Sequence, residues 1–196
     1  MRLNAKWIFG GIAVAAAAAA GGWYLRERAT ERPNHRTIAT DGAFELRAYP
    51  AALLAETVRS GPRVAALMEG YEALLDYVLA RSRKGERLAM TTPVLSDRAE
   101  PVGWRTRLFM PGKWTAATLP PPPDDIAIVE LAPRRVAAAR FSGRADDRTL
   151  GRKERALRRW LEGQGLRAAG PAEYASYSGP SVPAPMRHNE VLIPVA

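Results

Sequence analysis

The feature that most limits what this chain can become is a repeated order of elements. Phe44–Tyr49 alternates apolar and polar residues as a half-buried strand does, Pro50 interrupts it, and Ala51–Val58 continues as a second strand. Much later Ile126–Leu131, Pro133 and Arg135–Phe141 repeat that order, so that Tyr49-Pro50 is answered by Ala132-Pro133. In each half an amphipathic helix follows, then a further extended segment, then a closing strand. The chain therefore reads as two β-β-α-β-β pseudo-repeats. Either unit alone leaves an apolar sheet face bare, so the two must share one sheet system with two helices packed on it, an α+β fold.

In the first unit Ser60-Gly-Pro62 starts the helix, with Pro62 near its first position. Val64, Leu67, Met68, Tyr71, Leu74, Leu75, Val78 and Leu79 recur at helical spacing, and Glu69, Glu72 and Asp76 lie opposite. Leu88-Ala-Met-Thr-Thr-Pro-Val94 reads as a strand that stops or bulges at Pro93, which cannot donate to a ladder and pushes Thr92 into an extended conformation. A short polar loop leads to a strand at Trp104–Met110, where Arg105, Arg107 and Phe109 share one face. Leu119–Pro123 is a polyproline spacer between the halves.

The second helix, capped by Asp146 or Asp147, turns Leu150, Leu157, Trp160 and Leu161 inward and Arg152, Lys153, Arg155, Arg158 and Arg159 largely outward. That basic face reads as solvated, or as resting on anionic lipid headgroups. Glu173–Tyr177 is a strand or turn, Gly179–Pro185 a proline-rich loop, and Arg187–Val195 the closing strand.

Ahead of all this, Arg2 and Lys6 precede an uncharged run, Trp7–Leu25, long enough to span a bilayer as a helix. Trp7, Trp23 and Tyr24 mark its ends, and Arg26 and Arg28 close it. The expectation is a signal anchor, a transmembrane helix, over residues 1–28, a polar linker with His35 over 29–42, and the folded domain over 43–196. The domain would then be membrane-anchored and exported, on the periplasmic or extracytoplasmic face. Cleavage at an Ala-x-Ala site within Ala15–Ala20 would instead secrete it.

The 196 residues include no cysteine, which excludes disulfides, thiol catalysis and cysteine zinc sites. A net charge of +9 admits anionic partners, but no nucleic-acid-binding motif accompanies it and nucleic acid is not expected as a partner. There is no Gly-x-Ser-x-Gly, histidine metal cluster or phosphate loop. His188 and Glu190, two apart on a strand, share a face and form the one acid–base pair to consider; Asn189 and Glu190 equally suit a turn or strand edge. No catalytic residue is assigned, and binding rather than catalysis is expected.

Four segments stand in a fixed order: Met90-Thr-Thr-Pro-Val94, Phe109-Met-Pro111, Val136-Ala-Ala-Ala-Arg-Phe-Ser-Gly143 and Pro185-Met-Arg-His-Asn-Glu-Val191. Together, from about Phe44 to Ala196, they resemble the SOUL family of haem-binding-protein-like domains. The resemblance implies a distorted antiparallel β-barrel with two helices. It also implies that haem or another tetrapyrrole is bound in an apolar cleft along the first helix and the late proline loop. That would place Met68, Tyr71 and Leu75 on the helix side, and Val182, Met186, Arg187 and His188 on the loop side. The sequence departs from the pattern in lacking an aromatic around Val182 and in having His188 for the second arginine. Iron takes an axial His, Met, Tyr or Cys. His188 is the one histidine inside the domain and also reads as structural or solvated, so a metal ligand stays unassigned. Other readings of the cleft are a different amphipathic small molecule or lipid, or a tetrapyrrole-modifying activity.

Overall fold

The computed structural model describes residues 30–179 and 181–196, and within them nine strands form one antiparallel sheet. The elements are β1 (Arg36–Asp41), β2 (Phe44–Tyr49), β3 (Ala52–Arg59), α1 (Arg63–Val78), β4 (Val94–Arg98), β5 (Trp104–Phe109), β6 (Ala127–Leu131), β7 (Arg134–Phe141), α2 (Asp147–Gly163), β8 (Glu173–Ser176) and β9 (Asn189–Val195). The strand order is β1-β2-β7-β9-β8-β4-β5-β3-β6. Leaving β1 aside, β2-β7-β9-β8 read from one end matches β6-β3-β5-β4 read from the other. The repeat thus appears as a two-fold pattern in the sheet, with β8·β4 at its centre. The halves also exchange partners: β2 pairs with β7 and β3 with β6.

The sheet does not close, which corrects the expected barrel. The free edge of β2 is taken by β1, β6 pairs with β3 alone, and the two outer strands stay apart. β1 itself lies in the segment read as linker. All six of its residues are exposed, so no apolar period announces it, and it is held by its ladder to β2. The run Leu88–Val94 is also corrected. Its strand begins only at Val94, after a cis Thr92–Pro93 bond, and continues through residues that read as polar loop because Ser96 and Asp97 are buried.

Helices pack on one face only. α1 lies on β3 and β5, and α2 on β7 and β9. Under α2 sit Leu46, Ala137, Ala139, Leu157, Val191 and Ile193; under α1 sit Ala55, Leu74, Tyr77, Val78 and Leu108. The opposite, inner face makes its own cluster from Leu54, Leu95, Phe109, Val136, Ala138, Tyr177 and Leu192. Period-2 alternation divides each strand between the two faces, as in Leu108 out and Phe109 in.

α1 is rotated from the orientation its apolar spacing predicts. It turns Ala66, Gly70, Leu74, Tyr77 and Val78 to the sheet. A Cβ on Gly70 would stand 2.7 Å from Thr106 Oγ1, so the small residues set how closely helix and sheet approach. Val64 and Met68 are left 67% and 66% exposed. α2 follows expectation: Asp146 accepts from the Thr149 amide at 2.7 Å, and Leu150, Leu157 and Leu161 are buried. Trp160 is half-buried, stacked on Phe44 and donating from Nε1 to Asp41 at 2.9 Å.

The membrane-anchored localisation is corrected as well. Among the described residues no helix is long and apolar enough to cross a membrane. α1 and α2 each lay one side on the sheet, through Ala66, Leu74 and Tyr77 and through Leu150, Leu157 and Leu161. The run Trp7–Leu25, on which the anchor expectation rested, lies outside the described residues.

Candidate functional site

The inner face gathers charge among its apolar residues. Arg47 on β2, 5% exposed, and Glu190 on β9, 2% exposed, meet in a bidentate pair, with Nη1 and Nη2 donating to the carboxylate at 2.8 and 2.9 Å. Tyr177 Oη donates to the same carboxylate at 2.8 Å, and His188 Nε2 lies 3.2 Å from it. The His188 ring stacks flat on Tyr177, centroids 4.1 Å apart. Arg47 also donates to Glu45 at 2.7 Å and to Tyr49 Oη at 3.2 Å. Burial would raise the Glu190 carboxyl, but bonds from His188, Arg47 and Tyr177 outweigh it and hold the group well below the usual carboxylate range. Burial pushes the Tyr177 phenol up, and the Glu190 charge pushes it further.

A second chain of charges crosses β7, β8, β5 and β4. Arg134 donates twice to Glu173, at 2.6 and 2.7 Å, and Arg107 donates to Asp97 at 2.6 Å and lies 3.4 Å from Glu173. Burial works against the Glu173 carboxylate, yet the two arginines hold it below its ordinary value; at Asp97 burial prevails and raises it. Charges this buried persist because each is paired.

A cavity of about 650 Å³ opens from this face. Its walls include Leu53, Phe109, Trp114, Leu131 and Leu192, with the rings of Tyr49 and Tyr177. The two turns that repeat in sequence both line it, through Pro50 and Pro133, as do Thr91 and Pro93 of the Thr-Thr-Pro run. Thr91 Oγ1 is tied to the Phe109 carbonyl at 2.7 Å. Residues 31–34 form one side of the cavity. Glu31 holds them there: its carbonyl accepts from the Thr92 amide at 2.9 Å and its carboxylate from the Gly112 amide at 2.7 Å. The Arg32 guanidinium lies over the Tyr177 ring at 5.4 Å, and among the described residues it makes no ion pair. His35, read as a linker residue, stands 5.0 Å from the Tyr49 ring; burial and the nearby Arg47 charge hold it below 6.5.

The residues expected from sequence fall into two groups, neither of which lines this cavity. Met68, Tyr71 and Leu75 form a stripe with Val64 on the flank of α1, about a third of a turn from the buried side at about 100° per residue. Val182, Met186, Arg187 and His188 belong to the β8–β9 connection. There Val182 is buried, Arg187 Nε donates to the Val182 carbonyl at 2.8 Å, Met186 is 64% exposed, and His188 is held on Glu190. Arg47, Tyr49, Arg134, Glu173 and Tyr177 were not anticipated. Their signal was present in part: Glu45/Arg47 are charges at alternate strand positions among apolar residues, and Arg105/Arg107 alternate with Trp104, Thr106 and Leu108. Such a pattern ordinarily marks a solvent face.

The cavity fits a planar apolar ligand by size, since small-molecule sites run from about 300 to 1,000 Å³. It fits iron ligation poorly. Of the donors near it, both phenols are engaged with Arg47 or Glu190 and His188 Nε2 is on Glu190. Met110 lines the cavity but is buried in the cluster beneath α1, and His35, exposed beside the Tyr49 ring, is not among the lining residues. Among the described residues no three His, Asp or Glu side chains gather as a metal site.

The family model described as SOUL heme-binding protein matches residues 30–194. No curated protein matches the chain. Among solved structures, a hydrolase from Listeria innocua is similar at a TM-score of 0.58 and 12% identity, over 81% of this chain and 94% of that one. The EcmrR C-terminal domain is similar at 0.59 and 13%, over 78% and 96%. At such identities these likenesses bear on the fold alone.

Proposed function

Since this chain belongs to the SOUL heme-binding protein family, we propose that it binds haem or a related tetrapyrrole in the inner-face cavity, by apolar contact with the macrocycle and without an iron–protein bond. The observation that carries this reading is the cavity itself: about 650 Å³ walled mainly by aromatic, aliphatic and proline side chains, with Glu31, Glu130 and Arg134 also in its lining. Exposed Arg32 stands at its side as a cation for a propionate. The same walls suit another amphipathic molecule of that shape. The iron chemistry belongs to the ligand; the protein's part is to desolvate the plane and orient its acidic edge.

A second seat has its own support. The Val64, Met68, Tyr71, Leu75 stripe leaves two large apolar side chains about two-thirds exposed on α1. Catalysis is not proposed. The Glu190 carboxylate is occupied by Arg47, Tyr177 and His188, which leaves it no base character toward a substrate.

Two variants separate the seats in a titration with iron-free protoporphyrin. Ala51 is exposed, lies between β2 and β3, and lines the cavity. Ala51→Trp should fill the space and weaken binding at least tenfold, while Met68→Arg leaves it unchanged. The reverse result would move the ligand to α1.

A further inference from the structure

α2 carries a feature that the cavity does not use. Arg148, Arg152, Arg155 and Arg159 are all exposed. At about 100° per residue they fall within a sector of about 60°, on the side of the helix opposite Leu150, Leu157 and Leu161. At about 1.5 Å per residue the row runs about 16 Å along the axis. None of the four pairs with a carboxylate among the described residues; the ion pair that α2 makes along itself joins Arg158 to Glu154, off the row. Four like charges in line repel one another and destabilise their own helix.

We propose that this arginine row is a docking surface for an acidic α-helix of a partner protein. The spacing i, i+4, i+7, i+11 steps along the axis by about 6, 4.5 and 6 Å, close to the 5.4 Å pitch of a facing helix. Asp or Glu residues at the same spacing on that helix would each meet one guanidinium. Arginine in place of lysine suits bidentate pairing with carboxylates. A bilayer is a poorer occupant, because none of the large exposed apolar residues lies on α2 to insert into it. Single-stranded nucleic acid is poorer too: Trp160, the helix's aromatic, is engaged with Phe44 and Asp41 and offers no ring for a base.

The test uses the full chain and a labelled helical peptide carrying Glu at i, i+4, i+7 and i+11, followed by fluorescence anisotropy. Saturable binding is expected, weakened at least tenfold by R152E/R155E and strongly reduced by salt. A peptide of the same composition with its Glu residues spread around the helix should bind at least tenfold less tightly. Equal binding of the two peptides would overturn the proposal. So would stronger retention on phosphatidylserine vesicles or duplex DNA than on the aligned peptide. R152Q/R155Q, which removes charge without reversing it, guards against a folding defect: with an unchanged melting curve it should still lower affinity, and unaltered affinity would refute the docking role. Protoporphyrin binding by the variants is independent of the outcome.

Discussion

Replacing Arg47 by methionine would leave Glu190 as a buried carboxylate without its bidentate partner. Glu190 is 2% exposed, and two of its strongest bonds come from Arg47, at 2.8 and 2.9 Å. Removing one member of such a pair costs about 3–5 kcal/mol, because the surviving charge is left uncompensated in a medium that solvates it poorly. A domain of this size shifts its melting point by about 2–4 °C per kcal/mol, so the drop is on the order of 10 °C. Urea denaturation at pH 7 reads the loss directly. The double variant Arg47→Met with Glu190→Leu removes both charges and should recover part of it. It would retain a deficit of about 1–3 kcal/mol from the unpartnered Tyr177 hydroxyl. A single-variant cost below about 1 kcal/mol, or a double variant no more stable than the single, would refute the view that this pair is buried and mutually dependent.

Acid should act on the same group. The folded-state carboxyl of Glu190 lies below its ordinary 4.5, so its contribution to stability is complete above that value and is lost as pH falls toward the depressed one. Glu190→Gln should therefore flatten the acid limb of stability against pH below about 4.5; an unchanged limb would mean that other carboxylates, such as Glu173, govern it. At α1 the usual benefit of Gly→Ala in a helix, about 1 kcal/mol, should reverse. Gly70→Ala places its methyl against Thr106 Oγ1 and is expected to cost about 1–3 kcal/mol by overpacking. Thr106→Ala in the same background should restore stability, and a lack of rescue in a thermal melt would show that the clash is elsewhere.

How much of this was legible in sequence depended on which face a residue served. The repeat was readable because Tyr49-Pro50 and Ala132-Pro133 punctuate matching strands, and the structure turns it into the palindromic strand order. α2 was readable because its leucines and arginines segregate cleanly around the helix. α1 is turned from the expected face because two of the residues laid on the sheet beside Leu74, Tyr77 and Val78 are Ala66 and Gly70, whose small side chains add little to an apolar period. β1 has no buried side at all, so its existence depends on backbone bonds to β2. The inner face was hidden for a different reason. Its charges pair across strands distant in sequence, Arg47 with Glu190 and Arg107 with Asp97, and no periodicity reports a partner. The cavity lies on that face, whereas the family resemblance implied a cleft along α1 and the late β8–β9 loop.

The proposed function is tetrapyrrole binding by the apolar cavity without an axial ligand from the protein. Parallel absorbance titrations of the full chain with haemin and with iron-free protoporphyrin test it most directly. Saturable spectral shifts are expected for both, with affinities within about threefold of each other and both weakened at least tenfold in Ala51→Trp. Saturation with haemin alone, abolished by His188→Ala, would contradict it and make iron ligation the basis of binding.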